Sequence, residues 1–142
     1  MRAVGPDLER FVRAQDDDGT FARALGELRA GRKTSHWMWF VFPQVAGLGR
    51  SPIARTYAVS DLAEARAYLA HPVLGPRLRQ CSQAVLDVDG SSAVQVLGPV
   101  DAMKLRSCMT LFARADPDEP VFTGVLEKFF DGQPDTATDD LL

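Results

Sequence analysis

The sequence has few cysteines and no long apolar run. Its 142 residues include only Cys81 and Cys108, too few for the disulfide framework of a small secreted domain. Their apolar surroundings indicate buried free thiols. The longest apolar stretch, residues 37–43, is far shorter than the ~20 residues of a membrane span. The first residues lack the basic start and apolar core of a signal peptide. We therefore expect a cytoplasmic protein without membrane contact.

Motifs of three enzyme classes are also missing. Gly47-Leu48-Gly49 lacks the third glycine and the preceding strand of a phosphate-binding loop. The two histidines and the two cysteines are spaced too widely for a paired zinc-ligand motif. No Gly-x-Ser-x-Gly elbow of a serine hydrolase occurs. The sequence therefore predicts no metal and no cofactor.

Acidic side chains are absent from one long stretch, residues 28–60. The net charge of the chain is −3, so this stretch is a basic segment within an acidic protein. Its cationic or titratable residues are Arg29, Arg32, Lys33, His36, Arg50 and Arg55. A local positive field attracts small anions. Because the segment lacks a dense Lys/Arg stripe, it does not favour nucleic-acid binding.

Apolar residues recur at helical spacing along most of the chain. Phe21, Ala24, Leu25 and Leu28, for example, follow the i, i+3, i+4, i+7 pattern of one helix face. We predict an all-α fold, a compact single-domain array of about seven or eight short helices around one core. The domain spans residues 1–142, and residues 133–142 form an acidic tail that we expect to be loosely held.

Residues 31–44 are the densest feature of the sequence, with both tryptophans, two phenylalanines and one histidine. We expect residues 35–42 to form a short buried helix capped by Ser35, although a buried strand also fits so short an apolar run. An aromatic run of this kind is core in most proteins.

The polar edges of this segment suggest a binding site instead. Arg32, Lys33 and His36 are costly to bury unpaired, so each should reach solvent, a carboxylate or a ligand. His36 is a candidate general acid or base; a structural donor role is the alternative. The remaining candidate ligand contacts are Trp37, Trp39 and Gln44. Together these groups predict a floor for a phosphate or carboxylate that bears a flat ring, with cation–π packing against the indoles as the structural alternative.

A second candidate segment lies at residues 101–107. Asp101 and Lys104 are three residues apart and can pair across one helical turn. Ser107 lies on the same helical edge as Lys104. If this edge faces the tryptophan segment, Asp101 could serve as a catalytic base and Lys104 as an anion contact. His71, before Pro72, is predicted to be structural.

At these residues the chain resembles the bacterial domain-of-unknown-function family numbered 1810. The resemblance covers nearly the whole chain, from about Asp7 to Leu142. It rests on residues 8–12 with 14–15, 31–33 with 35–40 and 43–44, 68–75, and 104–107 with 109–112. The polar and aromatic residues that match are Arg32, Lys33, His36, Trp37, Trp39, Gln44, Asp101, Lys104 and Ser107. Cys108 stands where serine is more usual. The resemblance implies an all-helical fold around a central helix and no established activity.

Two functional hypotheses remain open. In the first, the protein has a pocket for an anionic small molecule, a nucleotide or ADP-ribose-like compound, with hydrolytic chemistry as a further option. In the second, it is a non-catalytic protein-interaction module whose basic surface docks an acidic partner. Neither the oligomeric state nor enzymatic activity follows from the sequence.

Overall fold

The computed structural model describes residues 7–142, and helices dominate them. The helices are α1 Glu9–Asp16, α2 Thr20–Arg29, α3 Met38–Val41, α4 Pro52–Thr56, α5 Leu62–Ala70, α6 Leu74–Leu86, α7 Ala93–Leu97, α8 Pro99–Ala115, α9 Pro120–Phe130 and α10 Thr136–Asp140. A 3₁₀ turn at Asp17–Gly19 joins α1 to α2. Within the described residues, β pairing is limited to one isolated parallel bridge between Val45 and Val59. The predicted all-α fold is confirmed.

Helix α8 is the predicted central helix. It packs against α5, α7, α9 and α10, and Leu105, Cys108 and Phe112 on it are fully buried. The Phe112 ring contacts those of Tyr68 and Phe122, with centroids 5.3 and 5.9 Å away. These aromatic contacts join helices α5, α8 and α9 into one core.

Side-chain caps fix several helix starts. Ser51 accepts a hydrogen bond from the Ala54 N–H, and Pro52 follows it at the first position of α4. The His71 Nδ1 accepts from the N–H groups of Val73 and Leu74 at the start of α6. Its Nε2 lies 2.7 Å from Glu9 Oε2. The structural role expected for His71 is therefore confirmed.

The expected cap at Ser35 is wrong. Helix α3 begins at Met38, and Trp37 occupies the cap position without a side-chain hydrogen bond. The Ser35 hydroxyl instead donates to Glu27, 2.6 Å away. The Ser35 hydroxyl, which we expected to cap a helix, is therefore hydrogen-bonded to a carboxylate of α2 instead.

The C-terminal segment 133–142 also differs from the loosely held tail we expected. Asp135 caps α10 through the Thr138 N–H, and Thr138 is fully buried. Arg114 on α8 donates two hydrogen bonds of 2.9 Å to Asp139. The acidity of the segment suggested solvation, whereas the structure pairs it with a basic residue of the central helix.

Both thiols are buried and free, as predicted. Burial raises the pKa of Cys81 to about 12 and that of Cys108 well above its usual range. These cysteines are therefore unreactive packing residues. Among the described helices, none has the length and apolar character needed to cross a bilayer.

We predict that Gly75→Ala destabilises the fold by about 1–3 kcal/mol. A methyl group at this buried position would collide with the carbonyl oxygen of Leu69, so α5 and α6 would have to separate. Gly26→Ala is the control, because a methyl group there meets no other atom within 4 Å. It should instead stabilise α2 by about 0.4–1 kcal/mol. Urea unfolding measures both, and equal midpoints for the two variants would contradict the helix packing described above.

Candidate functional site

Glu27 organises the segment between α2 and α3. Its Oε1 accepts hydrogen bonds from the backbone N–H groups of Thr34 and Ser35, at 2.7 and 2.9 Å. The same oxygen accepts from the Trp37 indole N–H at 3.0 Å. Its Oε2 accepts from the Ser35 hydroxyl at 2.6 Å. This one carboxylate therefore holds residues 34–35 and the Trp37 ring in place before α3.

The hydrogen bonds to Glu27 shift its acidity. Burial alone would raise its pKa, but the donors of Ser35, Thr34 and Trp37 outweigh that effect and lower the pKa from 4.5 to about 2. Sequence reasoning missed this residue. The available signal is its position, since Glu27 is the last acid before the acid-free stretch.

The two candidate segments meet at Asp101. The Lys33 ammonium lies 3.0 Å from Asp101 Oδ2, and the Lys104 ammonium lies 3.6 Å from Oδ1. The backbone N–H of Lys33 donates to the carbonyl of Val96, at 2.8 Å. The side chain of Lys33 is only 9% exposed, and that of Lys104 is 23% exposed. Lys33 is thus anchored in the protein, whereas Lys104 retains access to solvent.

Each of these lysines also lies over an indole. The Lys33 ammonium is 5.1 Å from the ring centroid of Trp37, and the Lys104 ammonium is 5.1 Å from that of Trp39. Trp37 is fully buried, so its role is structural. Trp39 is only partly buried and remains available at the surface. The cation–π alternative predicted from the sequence, with Arg32 or Lys33 as the cation, is therefore present between Lys33 and Trp37, and Lys104 makes a second contact of this kind that was not predicted.

A groove runs beside the exposed edge of α8, between the loop 44–49 and α10. Its volume is about 310 Å³, and we call it the α8 groove. Its lining residues are Gln44, Leu48, Gly49, Val100, Met103, Lys104, Ser107, Asp135 and Ala137. A narrow crevice shares Gln44, Gly49 and Lys104 with it and continues to Trp39 and Tyr57.

The structure brings together only part of the predicted site. Gln44, Lys104 and Ser107 line the α8 groove, and Trp39 lines the adjoining crevice. The other predicted site residues lie elsewhere, in two sets. Lys33, Trp37 and Asp101 lie outside the lining, in the ion-pair and indole contacts described above. Arg32 and His36 are exposed on the surface and line neither space. The proposed catalytic pair, His36 and Asp101, is therefore not assembled in this groove.

Asp135 is the groove residue that sequence reasoning missed. Its Oδ2 accepts from the Ser107 hydroxyl at 3.2 Å, the Thr138 N–H at 3.0 Å and the Thr138 hydroxyl at 2.6 Å. Its own N–H donates to the Thr110 hydroxyl oxygen at 2.9 Å. Asp135 went unnoticed because it belongs to the segment interpreted as a loose tail.

Comparison with known proteins supports the resemblance described above. The profile of a family described as "Protein of unknown function (DUF1810)" matches residues 5–142. The chain belongs to the DUF1810 family. It is similar to the crystal structure, at 1.38 Å, of the conserved hypothetical protein Rv1873 from Mycobacterium tuberculosis. Sequence identity is 51%, the match covers 96% of each chain, and the TM-score is 0.93.

No curated protein matches the chain. The family description assigns no activity, so it transfers no substrate and no catalytic residue. Any function for this DUF1810 protein has to be argued from its own groove.

We predict that Glu27→Gln lowers the free energy of unfolding at pH 7 by about 1–3 kcal/mol, because four donors, among them the indole of the buried Trp37, lose a charged acceptor. The folded-state pKa lies below the unfolded one. The carboxylate therefore stabilises the fold above about pH 4.5, and this stabilisation is lost as the pH falls towards 2. The difference between wild type and variant should shrink over that window.

The matched control is Glu127→Gln, which changes an exposed glutamate of α9. Chemical unfolding of the three proteins between pH 7 and pH 2.5 measures the effect. A Glu27→Gln difference that stays constant with pH, or that equals the control, would show that the Glu27 charge does not hold this segment.

Proposed function

We propose that the α8 groove binds a small molecule that carries an anionic group, a carboxylate or a phosphate. The nucleotides and ADP-ribose-like compounds predicted from the sequence belong to this class. The observation that carries the proposal is that Lys104 lines the groove together with Gln44.

The charges around Lys104 support this proposal. Two ammonium groups share one carboxylate at Asp101, so the cluster carries a net positive charge. Lys33 lies closer to that carboxylate than Lys104 does, at 3.0 against 3.6 Å. An ammonium has three donors, and Lys104 is the more exposed of the two. Lys104 can therefore donate to a ligand oxygen while Asp101 holds its side chain in place.

Gln44 provides a neutral donor beside this charge. Within residues 7–142 its side-chain amide has no hydrogen-bond partner, although its backbone carbonyl accepts from the Val59 N–H at 2.9 Å. The backbone is thus fixed and the amide is free. A free amide near a cation can donate to a carboxylate or phosphate oxygen.

The rest of the lining suits an apolar ligand body. Leu48, Val100, Met103 and Ala137 contribute most of the remaining surface. Burying such side chains under a ligand is favourable. The groove thus combines an apolar floor with a few polar groups, which is the usual composition of a small-molecule site.

The proposal is limited to binding. Hydrolysis would need a general base within reach of the ligand. His36 and Asp101, the candidates from the sequence, do not line the groove.

One observation favours the second candidate, a protein-interaction module. Val100 and Met103 are 66% and 69% exposed, which is unusual for apolar side chains next to each other on one helix face. In that case the α8 groove would receive an apolar side chain of a partner protein, and Lys104 would lie at the rim of the interface.

We predict that Lys104→Gln weakens binding of an anionic probe roughly tenfold or more, because a hydrogen bond to a charged group is lost. The probes are AMP, ADP-ribose and 4-methylpentanoate at millimolar concentration. Thermal shift identifies a binding probe, since a ligand of the folded state raises its melting temperature, and titration calorimetry gives its affinity.

The control is Arg32→Gln, which removes the same charge from an exposed position outside the groove. It should bind the probe like the wild type. If Lys104→Gln and Arg32→Gln lose affinity equally, the probe responds only to the general surface charge, and the groove is not the site. If no anionic probe shifts the wild type, the small-molecule proposal fails and the interaction module becomes the better candidate.

A further inference from the structure

We infer that the ligand of the α8 groove is a zwitterion with an apolar side chain, a free α-amino acid of the size of leucine or methionine. This inference rests on the proposed function, since it adds a second charge and a shape to the same ligand. Three features of the groove support it: two opposite charges in its lining, their placement along one edge of α8, and its apolar floor.

The first feature is the pair of opposite charges. Lys104 and Asp135 both line the groove. Three donors converge on Asp135 Oδ2, whereas Oδ1 accepts no hydrogen bond from the described residues. Within those residues Asp135 also has no cationic partner at ion-pair distance. Its charge is therefore available for a cation supplied by the ligand.

Neighbouring arginines do not neutralise this carboxylate. Arg114 is engaged by both oxygens of Asp139, at 2.9 Å each. Arg106 donates to the backbone carbonyls of Gln133 and Pro134, at 2.9 and 3.1 Å. Because both guanidinium groups are directed at other acceptors, a purely anionic ligand would meet repulsion at Asp135. A ligand ammonium would instead form a charge-assisted hydrogen bond there.

The second feature is the placement of the two charges along α8. Ser107 follows Lys104 by one helical turn, and its hydroxyl lies 3.2 Å from Asp135 Oδ2. The Lys104 ammonium reaches in the other direction along the helix, to 3.6 Å from Asp101 Oδ1. The two charges therefore lie along one edge of α8, separated by the turn between Lys104 and Ser107. A small zwitterion with a hydrogen bond at each end can bridge them.

The third feature is the apolar floor. Leu48, Val100, Met103 and Ala137 surround the space beside the two charges. The groove volume of about 310 Å³ is at the lower end for small-molecule sites. It fits an amino acid with a branched or thioether side chain better than a dinucleotide. The Gln44 amide and the Lys104 ammonium would hold the ligand carboxylate, and Asp135 would hold its amino group.

Titration calorimetry of the wild-type protein tests this assignment. The probes are L-leucine, L-methionine, 4-methylpentanoate, which lacks the amino group of leucine, and leucinamide, which lacks its carboxylate. We expect at least one amino acid to bind, and the two leucine analogues to bind roughly tenfold more weakly than leucine, because each loses one charge-assisted contact.

Two variants locate the recognition of each charge. Asp135→Asn keeps an oxygen that can cap α10, so the groove wall should remain folded. It should lower the affinity for leucine roughly tenfold, and it should not weaken the binding of 4-methylpentanoate, because the variant removes the repulsion between Asp135 and a purely anionic ligand. Lys104→Gln should weaken the binding of leucine but not that of leucinamide. The matched control is Asp118→Asn, an exposed acid of the turn before α9, which should change neither affinity.

The possible failures are distinguishable. If 4-methylpentanoate binds as tightly as leucine, the zwitterion is wrong while the anionic-ligand proposal stands. The same holds if AMP or ADP-ribose binds in a Lys104-dependent manner and no amino acid does. If no probe binds the wild type, both proposals fail. If Asp135→Asn does not fold, as judged by its melting temperature, the comparison of leucine with its two analogues on the wild type still decides.

Discussion

The Glu27 carboxylate is the interaction on which the rest of the site depends. After α2 ends at Arg29, the chain has no regular structure until Met38, so its backbone donors need partners elsewhere. Glu27 supplies them for Thr34 and Ser35, and its hydrogen bond to the Trp37 indole fixes the first large side chain of the core. A carboxylate with this many donors stays ionised at low pH, which makes it a permanent anchor.

This anchor determines what the tryptophan segment presents to α8. With Trp37 fixed, Lys33 packs over its ring and reaches Asp101 on α8. Asp101 in turn holds Lys104, whose ammonium lies over Trp39 at the mouth of the groove. A chain of charge and aromatic contacts therefore links the α2 terminus to the α8 groove. The buried residues of this chain hold the others in place, and its exposed end, Lys104, is available to a ligand.

The sequence predicted the fold well and the site only in part. Helical spacing predicted the all-α fold, because a core helix keeps its period over many residues, but it did not single out α8 as the central helix. The sequence could not show whether the two motif segments meet. It also could not separate Trp37, a core residue, from Trp39, since both have the same composition around them. Glu27 and Asp135 were missed because their roles depend on long-range partners, and local charge patterns do not report these. His36 and Arg32 stood out by residue type alone, and the fold leaves both at the surface.

A crystal structure of the protein grown with millimolar L-leucine or L-methionine is the most direct measurement of whether the α8 groove is a ligand site. We predict density for the amino acid along α8, with its carboxylate within hydrogen-bond distance of the Lys104 ammonium and the Gln44 amide and its amino group next to Asp135 Oδ1. An empty groove in a crystal whose packing leaves it open, at a ligand concentration that saturates binding in solution, would contradict this assignment.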